Sequence, residues 1–247
     1  MRGISPLFFR SMEENRLWPQ GPLFTRAPGV FPLSTDAVLL ADFSRPPETG
    51  RMCDLGCGTG FLLLHALFEH SGIRGTGLDL LPEAVANARE NLALNGLQDR
   101  GEILLRDLRD LSSLPGAGTY DLAVANPPYF PVDAPGACPA RKELTLTLPE
   151  LCSAASLLLR SGGRFCVVYR PERLCDLFCA AREAKLEPKA MRMVLSRPGA
   201  RPSLVLFEAR RDAKCGLSVL PPLFLEDSGG GSSSEYRRIY RMERETP

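Results

Sequence analysis

Residues 51–80 read RMCDLGCGTGFLLLHALFEHSGIRGTGLDL, and this stretch decides the fold. It opens on "RMCDLG", a short apolar run of strand length. A glycine-rich turn follows. Next comes "TGFLLLHALFEHSG", long enough for a helix that Gly72 would close. "IRGTGLDL" is strand-like again and ends on Asp79. Strand, glycine turn, helix and strand in this order form the unit of a parallel sheet.

The same alternation continues down the chain. "LPEAVANARENLALNG" predicts a helix with Pro82 in its first turn and Gly96 at its end. "GEILLRDL" and "YDLAVAN" predict strands, and "PELCSAASLLLRSGG" predicts a helix stopped by Gly162 and Gly163. "RFCVVYR" is a strand, and "PERLCDLFCAAREAKL" is a helix opened by Pro171. "KAMRMVLS" and "SLVLFEARR" close the sheet. "SGGGSSS", residues 228–234, reads as a flexible loop, and "EYRRIYRMERE" as a short charged terminal helix. Upstream, "LSTDAVLLADF" carries a helix start at Ser34, Thr35 and Asp36. The predicted fold class is α/β, a doubly wound, mostly parallel sheet with a short N-terminal arm. Residues 1–44 form the arm and its helix, and residues 45–247 the main domain. In such sheets ligands sit beyond the carboxyl ends of the strands.

The bulk numbers narrow the function. The chain has 247 residues, 44% of them hydrophobic, with a formal net charge of +1. It can bury a sizeable core and is not, as a whole, a basic nucleic-acid binder. The charge is uneven: residues 1–159 carry 13 Lys and Arg against 18 Asp and Glu, residues 160–247 carry 17 against 11. A local basic face in the second half is therefore expected. Eight cysteines occur without a C-x-x-C pair, and the two histidines stand near no cysteine pair at metal spacing, so no metal site is expected. Buried free thiols suit a reducing cytoplasm. The longest apolar run, residues 61–68, is too short to span a bilayer.

"DLGCGTG", residues 54–60, spaces its glycines G-x-G-x-G. The dinucleotide fingerprint needs a third glycine where Phe61 stands, and the Walker Lys and Ser/Thr are missing. The loop allows close backbone approach without a triphosphate grip. Asp79 follows Gly60 by nineteen residues and could accept both hydroxyls of a ribose. Together they suit a nucleoside-type cofactor. "ANPPY", residues 125–129, ends a strand on an amide, two prolines and an aromatic ring. The Asn126 side-chain oxygen and the carbonyl of Pro127 are two acceptors for an amino group. Proline fixes the backbone and offers no competing donor. Tyr129 is a stacking face, worth roughly 1–3 kcal/mol per base. A glutamine amide presents the same N–H geometry as adenine N6, so these residues alone leave both acceptors open.

"DLGCGTG", "GLDL" and "NPPY" in this order resemble class I S-adenosylmethionine methyltransferases that act on amino groups. That resemblance implies a Rossmann-like, seven-stranded sheet and S-adenosylmethionine as cofactor. Asp54 and Gly56, Cys57, Gly58 and Gly60 would hold its amino-acid end. Asp79, with Leu80, would take the ribose, and Asp107, with Leu108, the adenine, although Asp110 could serve instead. Asn126, Pro127, Pro128 and Tyr129 would be the catalytic set. "PLSTDAVLLADF", "ARKELTLTL", "YRPERL", "LEPKAMRMV" and "EYRRIY" extend the resemblance to the bacterial tRNA1(Val) adenine-37 N6-methyltransferase family. It implies an anticodon-loop adenine in tRNA as substrate, with Thr35 and Asp36 beside the cofactor's methionine end. Arg141, Lys142, Arg170, Arg173, Arg192 and Arg197 are candidates for holding RNA phosphates. Ribosomal RNA or a protein glutamine remain alternatives, as does a non-catalytic binding module. Oligomeric state, monomer or homodimer, is open.

Overall fold

A computed structural model describes residues 16–18, 20–30, 32–127 and 146–242. Pro128, Tyr129, Arg141 and Lys142 lie outside the described residues. The strands β1 (Thr49–Leu55), β2 (Gly72–Asp79), β3 (Gly101–Leu105), β4 (Tyr120–Ala125) and β5 (Leu159–Tyr169) run parallel. β6 (Leu186–Leu195) and β7 (Pro202–Arg211) form an antiparallel hairpin, with β7 antiparallel to β5. Two-residue strands β8 (Ser218–Val219) and β9 (Leu223–Phe224) pair with β6, so the sheet holds seven principal strands and two stubs. The strand order is β3-β2-β1-β4-β5-β7-β6-β8.

Side-chain alternation sends each central strand's residues to two cores. Met52, Leu122, Val124, Cys166 and Val168 face one, covered by α1 (Thr35–Ser44), α2 (Phe61–Glu69) and α3 (Pro82–Leu94). Cys53, Leu55, Ala123, Ala125, Phe165 and Val167 face the other, under α4 (Leu148–Leu158) and α5 (Leu174–Glu183). Helices on both faces make the sheet doubly wound. The order reverses between β1 and β4, which is where such sheets bind ligands. Leu55 pairs with both Leu78 and Ala125, so β1, β2 and β4 end level.

Two helix ends differ from the sequence expectation for a tertiary reason. Gly72 does not close α2. The helix ends at Glu69, and the Arg100 guanidinium takes the carbonyls of Leu67 (2.7 Å) and His70 (2.9 Å). Gly72 instead opens β2, where a Cβ would stand 2.6 Å from the Glu48 carbonyl oxygen. α4 stops at Leu158 rather than at Gly162, because the amides of Gly118 and Thr119 bond the Leu157 and Leu158 carbonyls. Residues 159–163 become an irregular start to β5, with a register shift against β4. Pro171 opens one 3₁₀ turn, Pro171–Arg173, before α5 begins at Leu174. The glycine-serine segment is held in a turn: Asp227 Oδ1 accepts from the Gly229 and Gly231 amides, and Glu226 pairs with Ser232. The terminal helix α6 (Ser234–Ile239) begins one residue earlier than expected and ends at Ile239.

Candidate active site

The glycine loop leaves β1 between β2 and β4. The Gly56 and Cys57 amides both bond the Leu78 carbonyl, at 2.8 and 2.9 Å. The Gly58 amide donates to Asp79 Oδ2 at 2.8 Å, while Asp79 Oδ1 accepts from the Leu81 amide at 2.9 Å. Gly56, Gly58 and Gly60 all have left-handed φ angles (72°, 54° and 77°), which favour glycine. At Gly56 and Gly58 a Cβ would meet nothing within 4 Å, so this side of the loop is open. At Gly60 it would stand 2.9 Å from the Ala88 Cβ, so this glycine serves the packing of the loop on α3.

Asp54 lies 1% exposed beneath the loop, and neither carboxylate oxygen has a hydrogen-bond partner. Burial pushes its pKa up to about 7; the nearby Leu63 amide, in the first turn of α2, acts against burial, and Asp79 adds to it. Asp79 is also raised by burial, with its amide partners acting the other way. An orphaned buried carboxylate beside an open glycine cradle fits a ligand with an ammonium group. Asp79 Oδ2 uses one lone pair on the loop and Oδ1 one on the Leu81 amide, and each oxygen has another for a hydroxyl. These residues fit S-adenosylmethionine, which supplies an electrophilic methyl group when bound.

Asn126 leaves β4 one residue past Ala125, directly beside the glycine loop, and Pro127 after it is buried. The Asn126 Nδ2 donates to Ser34 Oγ at 3.3 Å. Ser34 is the N-cap of α1, so Thr35 and Asp36 fall in the first turn of the helix that meets Asn126. Thr35 is hydrogen-bonded to Tyr240. The structure therefore brings Thr35, Asp36, the glycine loop, Asp79 and Asn126 to one edge. Leu80 follows Asp79 there half-buried, whereas the side chains of Cys57 and Leu108 belong to the two cores. Asp107 follows β3, and its carboxylate is gripped by the Arg109 guanidinium at 2.7–3.0 Å, which holds its pKa low.

The arginines divide. Arg192 is no surface contact: its guanidinium meets both Glu235 oxygens at 2.7 Å and the Pro221 carbonyl at 2.8 Å, pinning α6 to β6. Arg173 pairs with Asp176. Arg170, at the end of β5, and Arg197, in the β6–β7 turn, are exposed on the edge where β4 ends.

Two features escaped the sequence reading. One is Ser34 as a partner of Asn126. The other is a ladder of asparagines on α3. Asn95 exchanges two 2.8 Å bonds with the Leu23 amide and carbonyl. Asn91 does the same with Thr25 at 2.8 and 3.0 Å, and Asn87 accepts from the Ala27 amide at 3.1 Å. Alternate residues of an extended arm thus pair with side-chain amides as they would with a strand. Asn91 also donates to the Thr59 carbonyl in the glycine loop at 2.9 Å. The spacing of 87, 91 and 95, one face of a helix, was the available signal. A cavity of about 120 Å³ between α1, α2 and α6 is lined by none of these residues.

The strand order with an antiparallel β7, the glycine loop at its reversal, the acid ending β2 and the Asn-Pro ending β4 define a class I S-adenosylmethionine-dependent methyltransferase. Residues 23–177 match the family model of the methyltransferase small domain. A Porphyromonas gingivalis tRNA1(Val) (adenine(37)-N6)-methyltransferase is 32% identical over 84% of this chain and 86% of its own length. The chain belongs to the methyltransferase small domain family and, within it, to the tRNA1(Val) (adenine(37)-N6)-methyltransferases. A relative of the same name from Aeromonas salmonicida is 28% identical over 84% of the chain and 87% of its own length. Among solved structures, a predicted O-methyltransferase from Agrobacterium tumefaciens aligns with a TM-score of 0.71 over 84% of this chain and 96% of its own, at 19% identity. A geranyl diphosphate methyltransferase in complex with S-adenosylmethionine gives 0.55 over 71% and 84%, at 17% identity. These last two are likenesses of fold. Among the described residues no helix is long and apolar enough to cross a membrane, and no group of three His, Cys, Asp or Glu could hold a metal ion.

Proposed function

We propose that this enzyme methylates the exocyclic N6 of an adenine in tRNA, adenine 37 as in the names of its relatives. The observation that carries the reading is the pairing of Leu55 with Ala125, which sets the cofactor loop and Asn126 side by side. Asn126 Oδ1 and the Pro127 carbonyl accept the two N–H bonds of the amino group. That draws its lone pair out of the ring, so no strong base is needed. The proton released after transfer passes to water. Tyr129 supplies the face on which the flipped base stacks. Positioning of nitrogen against methyl provides much of the rate. Asp54 and the loop hold the cofactor's amino-acid end, Asp79 its ribose and Asp107 its adenine.

The full-length likeness to tRNA-modifying relatives, running past the catalytic loop, favours adenine over a glutamine amide. The exposed Arg170 and Arg197 support an RNA surface. By register Asn126 is level with Leu206, so the β6–β7 turn lies about 20 Å away, within reach of phosphates a few nucleotides from a flipped base. Arg173, Arg141 and Lys142 are assigned to the same surface. The seven described cysteines are free thiols, which suits a cytoplasmic enzyme. The test is nucleoside mass spectrometry of tRNA incubated with cofactor and enzyme. N6-methyladenosine is expected with the wild type and its loss with Asn126→Ala; an unchanged yield from the variant would sink the assigned mechanism.

A further inference from the structure

The cavity between α1, α2 and α6 lies outside the site described above and measures about 120 Å³. Trp18 and Phe61 line it with rings, and the His65 imidazole faces both, its centroid 5.6 Å from Trp18 and 5.9 Å from Phe61. The Arg241 guanidinium lies 4.2 Å over the Trp18 ring and pairs with Glu69 at 2.8 Å. The Asp42 carboxylate takes two bonds from the exposed Arg238, at 2.8 and 3.0 Å. We propose that this cavity receives one pyrimidine base of the RNA, from a nucleotide next to the target adenine. The inference rests on the tRNA reading above.

Three properties define the occupant. The first is size. A cavity of about 150 Å³ holds a benzene ring, so one of about 120 Å³ takes a single six-membered ring and not a purine. The second is chemistry. Unstacked bases of single-stranded RNA lie on aromatic rings and guanidinium planes and are read at their edges. No described residue makes a hydrogen bond to either nitrogen of His65. Burial pushes its pKa down to about 4; Glu69 and Asp42 act against burial, Arg241 and His70 with it, and the ring is neutral at pH 7. A neutral imidazole has one donor and one acceptor, and a pyrimidine edge carries groups to meet either. Asp42 with Arg238 and Glu69 with Arg241 already satisfy one another, so water has few partners between the rings. The third is place. Ser34, Val38 and Asp42, four residues apart, form one stripe of α1. Ser34 bonds Asn126, while Val38 and Asp42 line the cavity. They stand about 6 and 12 Å along the helix from the residue that meets the catalytic asparagine, which is the reach of a neighbouring nucleotide.

The experiment uses tRNA transcripts carrying each of the four bases on either side of the target adenine. It reads kcat and KM for methylation, Kd for S-adenosylmethionine, Tm, and the fluorescence of Trp18, the one tryptophan of the chain. For the wild type, cytosine or uracil at one of the two flanking positions should give a KM about tenfold below that with adenine or guanine there. The same pyrimidine RNAs should quench Trp18, and the purine RNAs should quench it less. His65→Phe keeps a ring but has no edge donor or acceptor. It should raise KM for the pyrimidine RNAs about three- to tenfold, with kcat and cofactor Kd close to wild type. Val38→Phe, which fills the cavity, should abolish both the preference and the quenching. Wild-type enzyme with equal KM for all four bases at both positions overturns the proposal, and this comparison needs no substitution to fold. A preference that survives in both variants also overturns it. Enzyme that forms N6-methyladenosine in none of these RNAs refutes the tRNA reading itself, and the base pocket with it.

Discussion

Asp54 is the residue whose environment is most at odds with its chemistry. In water its carboxyl titrates near 4; here burial holds it near 7. A carboxyl whose folded pKa is raised keeps its proton in the folded state over a range where the unfolded chain has lost it. Stability of the cofactor-free protein therefore falls as pH rises from about 4 to about 7 on this group's account, then stays level. Asp54→Asn removes that slope. Melting curves of wild type and Asp54→Asn between pH 4.5 and 8 should diverge in the variant's favour until about pH 7 and run parallel above it. An ammonium group beside Asp54 reverses the preference. Cofactor affinity should rise through about pH 7 in the wild type and show no such rise in Asp54→Asn, as titration calorimetry would read. A flat profile in the wild type would remove Asp54 from the binding site.

At the scale of elements, the N-terminal arm is tied to the cofactor loop through one side chain. Asn91 joins the Thr25 amide and carbonyl to the Thr59 carbonyl. Asn91→Leu takes this partner from the Thr25 amide and the Thr59 carbonyl, each costing about 1–3 kcal/mol, while the Thr25 carbonyl keeps Asn87 Nδ2 at 3.3 Å. We expect a lower Tm together with weaker cofactor binding, because the arm and the loop loosen as a unit. A lower Tm with an unchanged cofactor Kd would mean that the ladder serves the arm alone. Two arginines of the last hairpin, Arg192 and Arg197, should separate in the same way. Arg192, 17% exposed and doubly bonded to Glu235, holds α6 in place. Arg192→Ala should lower Tm and leave the salt dependence of tRNA binding as it was. Arg197→Ala should leave Tm alone, weaken tRNA binding and reduce the slope of log K against log salt by about 0.7–0.9. Identical salt slopes for wild type and Arg197→Ala would remove the β6–β7 turn from the RNA surface.

At the scale of the molecule, the order of strands and helices was legible because each strand is a short apolar run and each helix an apolar face between glycines and prolines. The ends of elements were less legible. Gly72 and Gly162 look like helix stops, yet Arg100 and the Gly118–Thr119 amides do the stopping, from segments distant in sequence. The residues at the sheet's reversal could be read because strand ends carry ligand chemistry in this architecture. Ser34 could not, since its contact with Asn126 exists only once α1 is laid against the end of β4. Arg192 was misread for a related reason: an arginine in a strand shows no sign of the Glu235 that awaits it on α6. The measurement that bears most directly on the whole is nucleoside and peptide mass spectrometry on tRNA and protein pools treated with the enzyme and isotopically labelled S-adenosylmethionine. The label should appear as N6-methyladenosine in tRNA, and only when Asn126 is present. Label in a protein glutamine, or in neither pool, would contradict the account.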